Sequence, residues 1–326
     1  MSQAAQNARR KPPALQPGDT VGIVAPASNI QRDLLEAGCD ALRNLGYKPF
    51  YFDSIFDRDL YFAGSVERRV RELEEMFMRD DVRAIICSRG GYGSNYLLSE
   101  LDLQKIAARP KIFVGYSDMT TLLTWFADSG FVTFHGPMVT KDFGHSGGVD
   151  LQSWTAALTG VSEWSLDASA SGARPIIEGH AEGILYGGCL SMLAASLGTP
   201  HEIRTAETIL FIEDVATKPY QIDRMLMHLK LAGKLQDVRG IVFGEMLDCF
   251  QTRDQGYTLE EVILRVVGDM GIPVAYGLRS GHVSRGNVTL PIGVRTALQV
   301  TSTEVSLKIL EPATTLASVS ARSFKP

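Results

Sequence analysis

Short apolar runs alternate with longer amphipathic stretches through the first 135 residues of the chain. The strand-like runs are Thr20-Val21-Gly22-Ile23-Val24-Ala25, Lys48-Pro49-Phe50-Tyr51, Arg83-Ala84-Ile85-Ile86-Cys87, Ile112-Phe113-Val114-Gly115 and Val132-Thr133-Phe134. Between them, segments 33–45, 66–79, 94–101 and 118–127 carry apolar residues at helical spacing. This alternation predicts βαβ units and a parallel sheet. Such sheets bind ligands in the crevice beyond the carboxyl ends of their strands.

The pattern changes near residue 141. Segment 141–174 is polar and rich in Gly, Ser and Ala, with a short helix expected over 151–158, and reads as a crossing between domains. The second half mixes strand-like runs at 179–185, 208–212, 240–243, 288–290, 296–301 and 305–309 with helical patterns at 190–197, 220–231 and 259–270. Its closing strands have no helices between them and are expected to be antiparallel. The expected division is a disordered tail over 1–16, an α/β domain over 17–140, the crossing over 141–175, a second α/β domain with a β-rich end over 176–315, and a tail over 316–326.

Composition narrows the function classes. A chain of 326 residues exceeds what one core usually sustains, and 45% hydrophobic with 21% charged residues is the balance of an ordinary globular protein. The net charge of −5, with no basic run beyond Arg9-Arg10-Lys11, argues against nucleic acid as a partner. The longest weakly polar stretch, 183–198, is broken by Gly and Ser and falls short of the ~20 apolar residues of a membrane span. The polar, proline-containing start lacks an apolar signal core, so a cytoplasmic location is expected. Cys39, Cys87, Cys189 and Cys249 are widely spaced and read as buried small hydrophobes, with no metal or other cofactor expected.

The candidate chemistry begins at Gly115-Tyr116-Ser117-Asp118, which joins an apolar strand directly to a helix. A sharp corner there lifts the Ser117 hydroxyl out of the sheet and aims the following N–H groups at the same point, as a nucleophile and its oxyanion require. Arg89-Gly90-Gly91-Tyr92-Gly93 follows another strand on the same edge. It lacks the Lys-Ser/Thr of a P-loop and the spacing of a dinucleotide site. Either it is only a tight turn, or a Gly91 amide joins that of Asp118 in an oxyanion hole.

A serine nucleophile needs a base, and the base an acidic orienter. His282, in the glycine-flanked loop Ser280-Gly281-His282-Val283-Ser284-Arg285-Gly286-Asn287, stands modestly ahead of His135, which ends a strand as a candidate lining residue. His145, His180, His201 and His228 lack a nearby constellation. Glu213, at the end of the apolar run 208–212, is the leading acid, although a capping or ion-pair role fits its local pattern equally well. The Asp118 side chain is expected to cap its own helix.

Seven motifs in order, Gly22-Ile23-Val24-Ala25-Pro26-Ala27-Ser28, Arg89-Gly90-Gly91-Tyr92-Gly93, Gly115-Tyr116-Ser117-Asp118, His135-Gly136-Pro137, Gly187-Gly188-Cys189-Leu190-Ser191, Glu213-Asp214 and Gly281-His282, resemble the LD-carboxypeptidase family of serine peptidases. The resemblance runs from about Pro17 to Pro312. It implies a flavodoxin-like N-terminal domain, a C-terminal swivelling β/β/α domain and a homodimer. It also implies a triad of Ser117, Glu213 and His282, with an oxyanion hole from the Gly91 and Asp118 amides. The implied reaction removes the terminal D-alanine from murein tetrapeptide by cutting after the L-centre of diaminopimelate, in cytoplasmic peptidoglycan recycling.

This chain departs from the family in carrying Cys189 where the family commonly has Asn. Met119 also separates the corner from the GxSxG elbow of α/β-hydrolases. Arg89, Arg285 and His135 are candidates for substrate binding, an Arg being suited to the terminal carboxylate. Two other readings share the scaffold: a microcin immunity-type peptidase cleaving acyl-nucleotide amides with the same triad, and a non-catalytic small-ligand binding protein.

Overall fold

The computed structural model describes residues 9–250 and 256–316. Its first sheet holds five parallel strands: β1 (Thr20–Val24), β2 (Lys48–Phe50), β3 (Val82–Cys87), β4 (Ile112–Gly115) and β5 (Thr133–His135). Their spatial order is β2-β1-β3-β4-β5, the flavodoxin-like arrangement. Connections run through α1 (Arg32–Asn44), α2 (Val66–Met78), α3 (Leu103–Ala108) and α4 (Thr120–Asp128). The strands read as unbroken apolar runs because both faces are covered. Val21, Ile23, Ile86 and Val114 enter one core, while Val24, Ile85, Cys87 and Phe113 enter the other.

The chain then passes through α5 (Leu151–Leu158), β6 (Trp164–Asp167) and β7 (Arg174–Ile177). Next come β8 (Gly179–Cys189), α6 (Leu190–Ala195), β9 (Thr208–Glu213), α7 (Pro219–Leu231), β10 (Gly240–Gly244), α8 (Leu259–Val267) and β11 (Val274–Leu278). Last are β12 (Leu290–Ile292), β13 (Arg295–Val300) and β14 (Val305–Ile309). Eight of these strands form a second sheet in the order β6-β14-β13-β8-β9-β10-β11-β7. Its centre, β8 to β11, is parallel, and the strands flanking that centre run antiparallel.

Four features differ from the sequence expectation. The segment 94–101 is a 3-10 turn over Ser94–Leu97, and the helix after it begins only at Leu103, where Asp102 caps the Gln104 and Lys105 amides. The crossing contains two strands, β6 and β7, which sit at the two edges of the second sheet; short, partly exposed edges need no sustained apolar run. β12 leaves its sequence neighbours and pairs antiparallel with β5 of the first sheet, Leu290 opposite His135. Residues 9–16, expected to be disordered, are held: Arg10 bridges Phe131, the Ala14 and Leu15 amides donate to Thr315 and Leu158, and Leu15 is fully buried. The rest of the expected tails, 1–8 and 317–326, lies outside the described residues.

Candidate active site

The chain leaves β4 with Tyr116 extended, then turns at Ser117 with φ +65° and enters a 3-10 turn over Ser117–Met119 that leads into α4. A non-glycine residue in this region is strained, and it holds only where its surroundings fix it. Here Tyr116 and Asp118 are buried on either side while Ser117 stays half-exposed, so the corner presents the hydroxyl.

The 89–93 loop is built against that corner. A Cβ placed on Gly90 would lie 2.8 Å from Ser117 Cβ, 3.0 Å from its Oγ and 3.3 Å from the Asp118 nitrogen, so only glycine lets the loop pass this closely. Ser28, just beyond β1, accepts the Tyr92 N–H at 3.1 Å. The buried Arg69 of α2 donates through Nη1 to the carbonyls of Pro26 at 2.7 Å and Gly93 at 2.8 Å. Asp118 completes the frame, since its carboxylate accepts the Ser94 N–H at 2.9 Å while Ser94 Oγ donates to the Asp118 carbonyl at 2.7 Å. The expected cap on its own helix is thus replaced by a tie across to the glycine loop.

Glu213 ends β9, and His282 occupies the loop between β11 and β12. Glu213 Oε2 meets His282 Nδ1 at 2.7 Å and accepts the His282 backbone N–H at 3.1 Å, which fixes both ring and main chain. Burial pushes the Glu213 carboxyl up, but the neighbouring imidazoles of His282 and His135 outweigh it and hold the group down to about 2. Asn287 secures the loop by accepting the Gly281 N–H at 3.0 Å and donating to the Gly281 carbonyl at 3.1 Å. Its Nδ2 also donates to the buried Asp142 at 3.2 Å. The Tyr116 ring lies edge-on to that of His282 at 5.1 Å, which places the imidazole beside the Ser117 corner. Among the described residues Ser117 Oγ and His282 share no direct hydrogen bond; resting sites of this kind are often looser than the reacting complex.

His135 is corrected from a lining residue to a wholly buried one: Nδ1 lies 3.0 Å from Ser280 Oγ, and Nε2 faces Glu213 Oε1 at 3.9 Å. Arg89 is exposed, with Nη1 3.4 Å from the Asn29 carbonyl. Arg285 is also exposed and borders a 360 Å³ cavity together with Arg174, Arg279 and Glu245. Asp214, beside Glu213, accepts the Ser191 N–H at 2.9 Å and caps the start of α6. At the position where the family has Asn, the Cys189 amide donates to Thr120 Oγ1 at 3.0 Å and its thiol meets Ser191 Oγ at 3.2 Å. Donor atoms of Cys189, Glu213 and His282 lie within 4.8 Å of one another, a closeness that sequence spacing conceals. Arg69, Asn287 and Asp142 were not visible as site residues in the sequence. Asn287 lies in the histidine loop, but nothing in its neighbours announces a grip on Gly281.

Comparison with known proteins identifies the family. The LD-carboxypeptidase N-terminal domain profile matches residues 21–136, and the C-terminal domain profile matches 182–298. A probable murein peptide carboxypeptidase of Bacillus subtilis is 39% identical over 88% of this chain and 91% of its own length. The crystal structure of a muramoyltetrapeptide carboxypeptidase from Oxalobacter formigenes superposes with a TM-score of 0.81 at 31% identity, covering 90% of this chain and 99% of that one. The microcin C7 self-immunity protein MccF in complex with aspartyl sulfamoyl adenosine superposes with a TM-score of 0.86 at 26% identity, covering 94% and 100%. With both domains matched and a relative of this identity spanning most of its length, the chain belongs to the LD-carboxypeptidase family and is a serine carboxypeptidase, a hydrolase.

Proposed function

We propose that the enzyme hydrolyses the bond between the L-centre of meso-diaminopimelate and the terminal D-alanine of murein tetrapeptide, with Ser117 as nucleophile, His282 as base and Glu213 as orienter. The observation that carries this reading is the bond from Glu213 Oε2 to His282 Nδ1, which leaves Nε2 of the ring as the atom free to work on a serine. His282 Nε2 takes the Ser117 proton as Oγ attacks the scissile carbonyl. The amides of Gly91 and Asp118 receive the oxyanion, and His282 then protonates the departing D-alanine amine. Water, activated by the same imidazole, cleaves the acyl-enzyme and restores Ser117. Arg285 and Arg89 are the proposed partners of the terminal carboxylate, and the cavity that Arg285 shares with Arg174 and Arg279 supports the former.

The division into domains over 17–140 and 176–315 belongs to this proposal, with the groove between them as the substrate site. So do the homodimer and a cytoplasmic role in peptidoglycan recycling. Among the described residues no helix is long and apolar enough to cross a membrane. A second reading, cleavage of an acyl-nucleotide amide, draws support from the close superposition on the microcin self-immunity protein. A single assay separates the readings: L-Ala-γ-D-Glu-meso-diaminopimelate-D-Ala and aspartyl sulfamoyl adenosine are each incubated with the enzyme and with Ser117→Ala. D-Alanine release by the unaltered enzyme alone supports the carboxypeptidase. Equal release by both proteins sinks the serine mechanism, and turnover of the nucleoside alone favours the second reading. Absence of both, with no fluorophosphonate labelling of Ser117, would point to a non-catalytic binding protein.

A further inference from the structure

Glu213 sits between two imidazoles, and only one of them is accounted for by the proposed triad. Oε2 is committed to His282 through both the ring and the backbone. Oε1 has no hydrogen-bond partner among the described residues, and neither has the His135 Nε2 that faces it at 3.9 Å. Both side chains are fully buried, with 0% of either exposed. Two buried polar atoms facing each other with no protein partner require a reason, since burial costs a polar group the hydration it had in the unfolded chain.

The far side of the His135 ring supplies it. Ser280 Oγ donates its one hydrogen to the Val288 carbonyl at 2.8 Å, so at its 3.0 Å contact with His135 Nδ1 it can only accept. His135 Nδ1 therefore carries a proton. A neutral ring with that proton would turn the Nε2 lone pair onto a carboxylate oxygen, acceptor against acceptor. The other groups packed around the ring offer nothing better. Phe211 is edge-on at 5.0 Å, and Tyr116 is 6.1 Å away, its phenol kept neutral because burial pushes it well above its ordinary value. The charge balance points the same way. His282 must be neutral to act as a base, which leaves the buried Glu213 carboxylate without a compensating cation.

We propose that His135 is held as an imidazolium whose Nε2–H is aimed at Glu213 Oε1, making it a positioning residue that fixes the carboxylate with Oε2 on His282. Contraction of the gap by about 1 Å brings the pair to charged hydrogen-bond distance. β5 and the Ser280 loop, 145 positions apart in the sequence at His135 and Ser280, thereby set the acid from behind while His282 engages it in front. The assignment rests on the triad reading above, but its test does not depend on turnover.

Nitrogen-15 NMR of the intact protein, with ring signals assigned through His135→Gln, reads the protonation of both nitrogens directly. The expected result is two protonated nitrogens on His135 at neutral pH; a bare Nε2 overturns the proposal even where Ser117 still reacts with a fluorophosphonate. If instead Ser117 fails to react while His135 is doubly protonated, the triad reading fails and the ion pair stands. Kinetics give a second arm. Loss of the donor in His135→Leu is expected to lower kcat roughly 10- to 100-fold, the worth of one charged hydrogen bond, with KM little changed. His135→Gln, whose amide can donate to Oε1, is expected to recover most of that loss. Wild-type kcat in a folded His135→Leu protein overturns the proposal, and if that variant does not fold the NMR measurement decides.

Discussion

Asn287 grips Gly281 on both sides, its Oδ1 on the N–H at 3.0 Å and its Nδ2 on the carbonyl at 3.1 Å. The residue gripped is the one before His282, so a fully buried side chain fixes the origin of the proposed base. Replacing it tests this directly. Asn287→Ala leaves both Gly281 groups unpaired in a buried loop, and each side-chain bond of this kind contributes about 1 kcal/mol. The expected outcome is a fall in kcat of about tenfold or more with KM held within a small factor, measured by steady-state D-alanine release. A raised KM with unchanged kcat would show that the loop serves binding instead.

Two glycines should respond differently to the same substitution. A Cβ on Gly281 would lie 2.7 Å from Glu213 Cδ, and its φ of +92° is already costly for any other residue. Gly281→Ala should therefore lose activity and roughly 1–3 kcal/mol of stability together. Gly90 has no such backbone demand, yet its Cβ would press on Ser117 at 2.8 Å. Gly90→Ala is expected to lose fluorophosphonate labelling of Ser117 with a smaller loss in chemical denaturation. Equal stability losses in the two variants would refute the distinction.

The contrast marks what the sequence can and cannot announce. The first sheet was legible because strands covered on both faces must be continuous apolar runs, and Ile85-Ile86-Cys87 or Ile112-Phe113-Val114 cannot be read otherwise. The corner at Ser117 was legible for a related reason, since a strand running straight into a helix leaves no room for a gradual turn. β6 and β7 were hidden because edge strands carry little apolar signal, and β12 because an apolar run does not name its partner. The site divides along the same line. Ser117, Glu213 and His282 end strands or occupy a glycine-flanked loop, places where local pattern means something. Asn287, Arg69 and Asp142 matter through partners 6, 24 or 43, and 145 positions away, and no local pattern encodes such distances. His135 was noticed for its place on the sheet edge, but β12 closes over that edge and turns it inward.

Asp142 gives a pH test. Burial, opposed by the hydrogen bonds from the Met138 amide and Asn287, pushes its carboxyl up from 3.8 to about 6. A folded-state value above the unfolded one means that the native protein binds this proton more tightly, so the group's contribution to stability is greatest below about 3.8 and is lost as pH rises through about 6. Asp142→Asn cannot ionise. Its stability relative to the unaltered protein should therefore rise between pH 4 and pH 7, as read by urea unfolding at several pH values. The lost second acceptor oxygen lowers the variant's stability at every pH without adding slope. A difference between the two proteins that stays flat across this range would show that Asp142 titrates normally. Glu213 has the opposite sign. Held down to about 2 from 4.5, its contribution is complete above 4.5 and is lost as pH falls toward 2; the two windows overlap only between 3.8 and 4.5, and Glu213, present in both proteins, cancels from their difference.

Ser117 should pay for its position in stability. Its φ of +65° lies in the left-handed region, where a side chain costs on the order of 1 kcal/mol and glycine does not. Ser117→Ala removes the proposed nucleophile but keeps the Cβ and therefore the strain. Ser117→Gly removes both. The two variants are expected to be equally inactive, yet Ser117→Gly should be the more stable by roughly 1 kcal/mol in chemical denaturation, because relief of strain at this corner exceeds the added freedom of the unfolded chain. The comparison isolates the backbone, since neither variant has a hydroxyl to lose from a hydrogen bond. If Ser117→Ala proves the more stable, the corner is not strained in solution. The close approach of Gly90 would then have to be explained by the loop's own ties to Ser28 and Arg69 rather than by a turn at Ser117 that its surroundings hold in place.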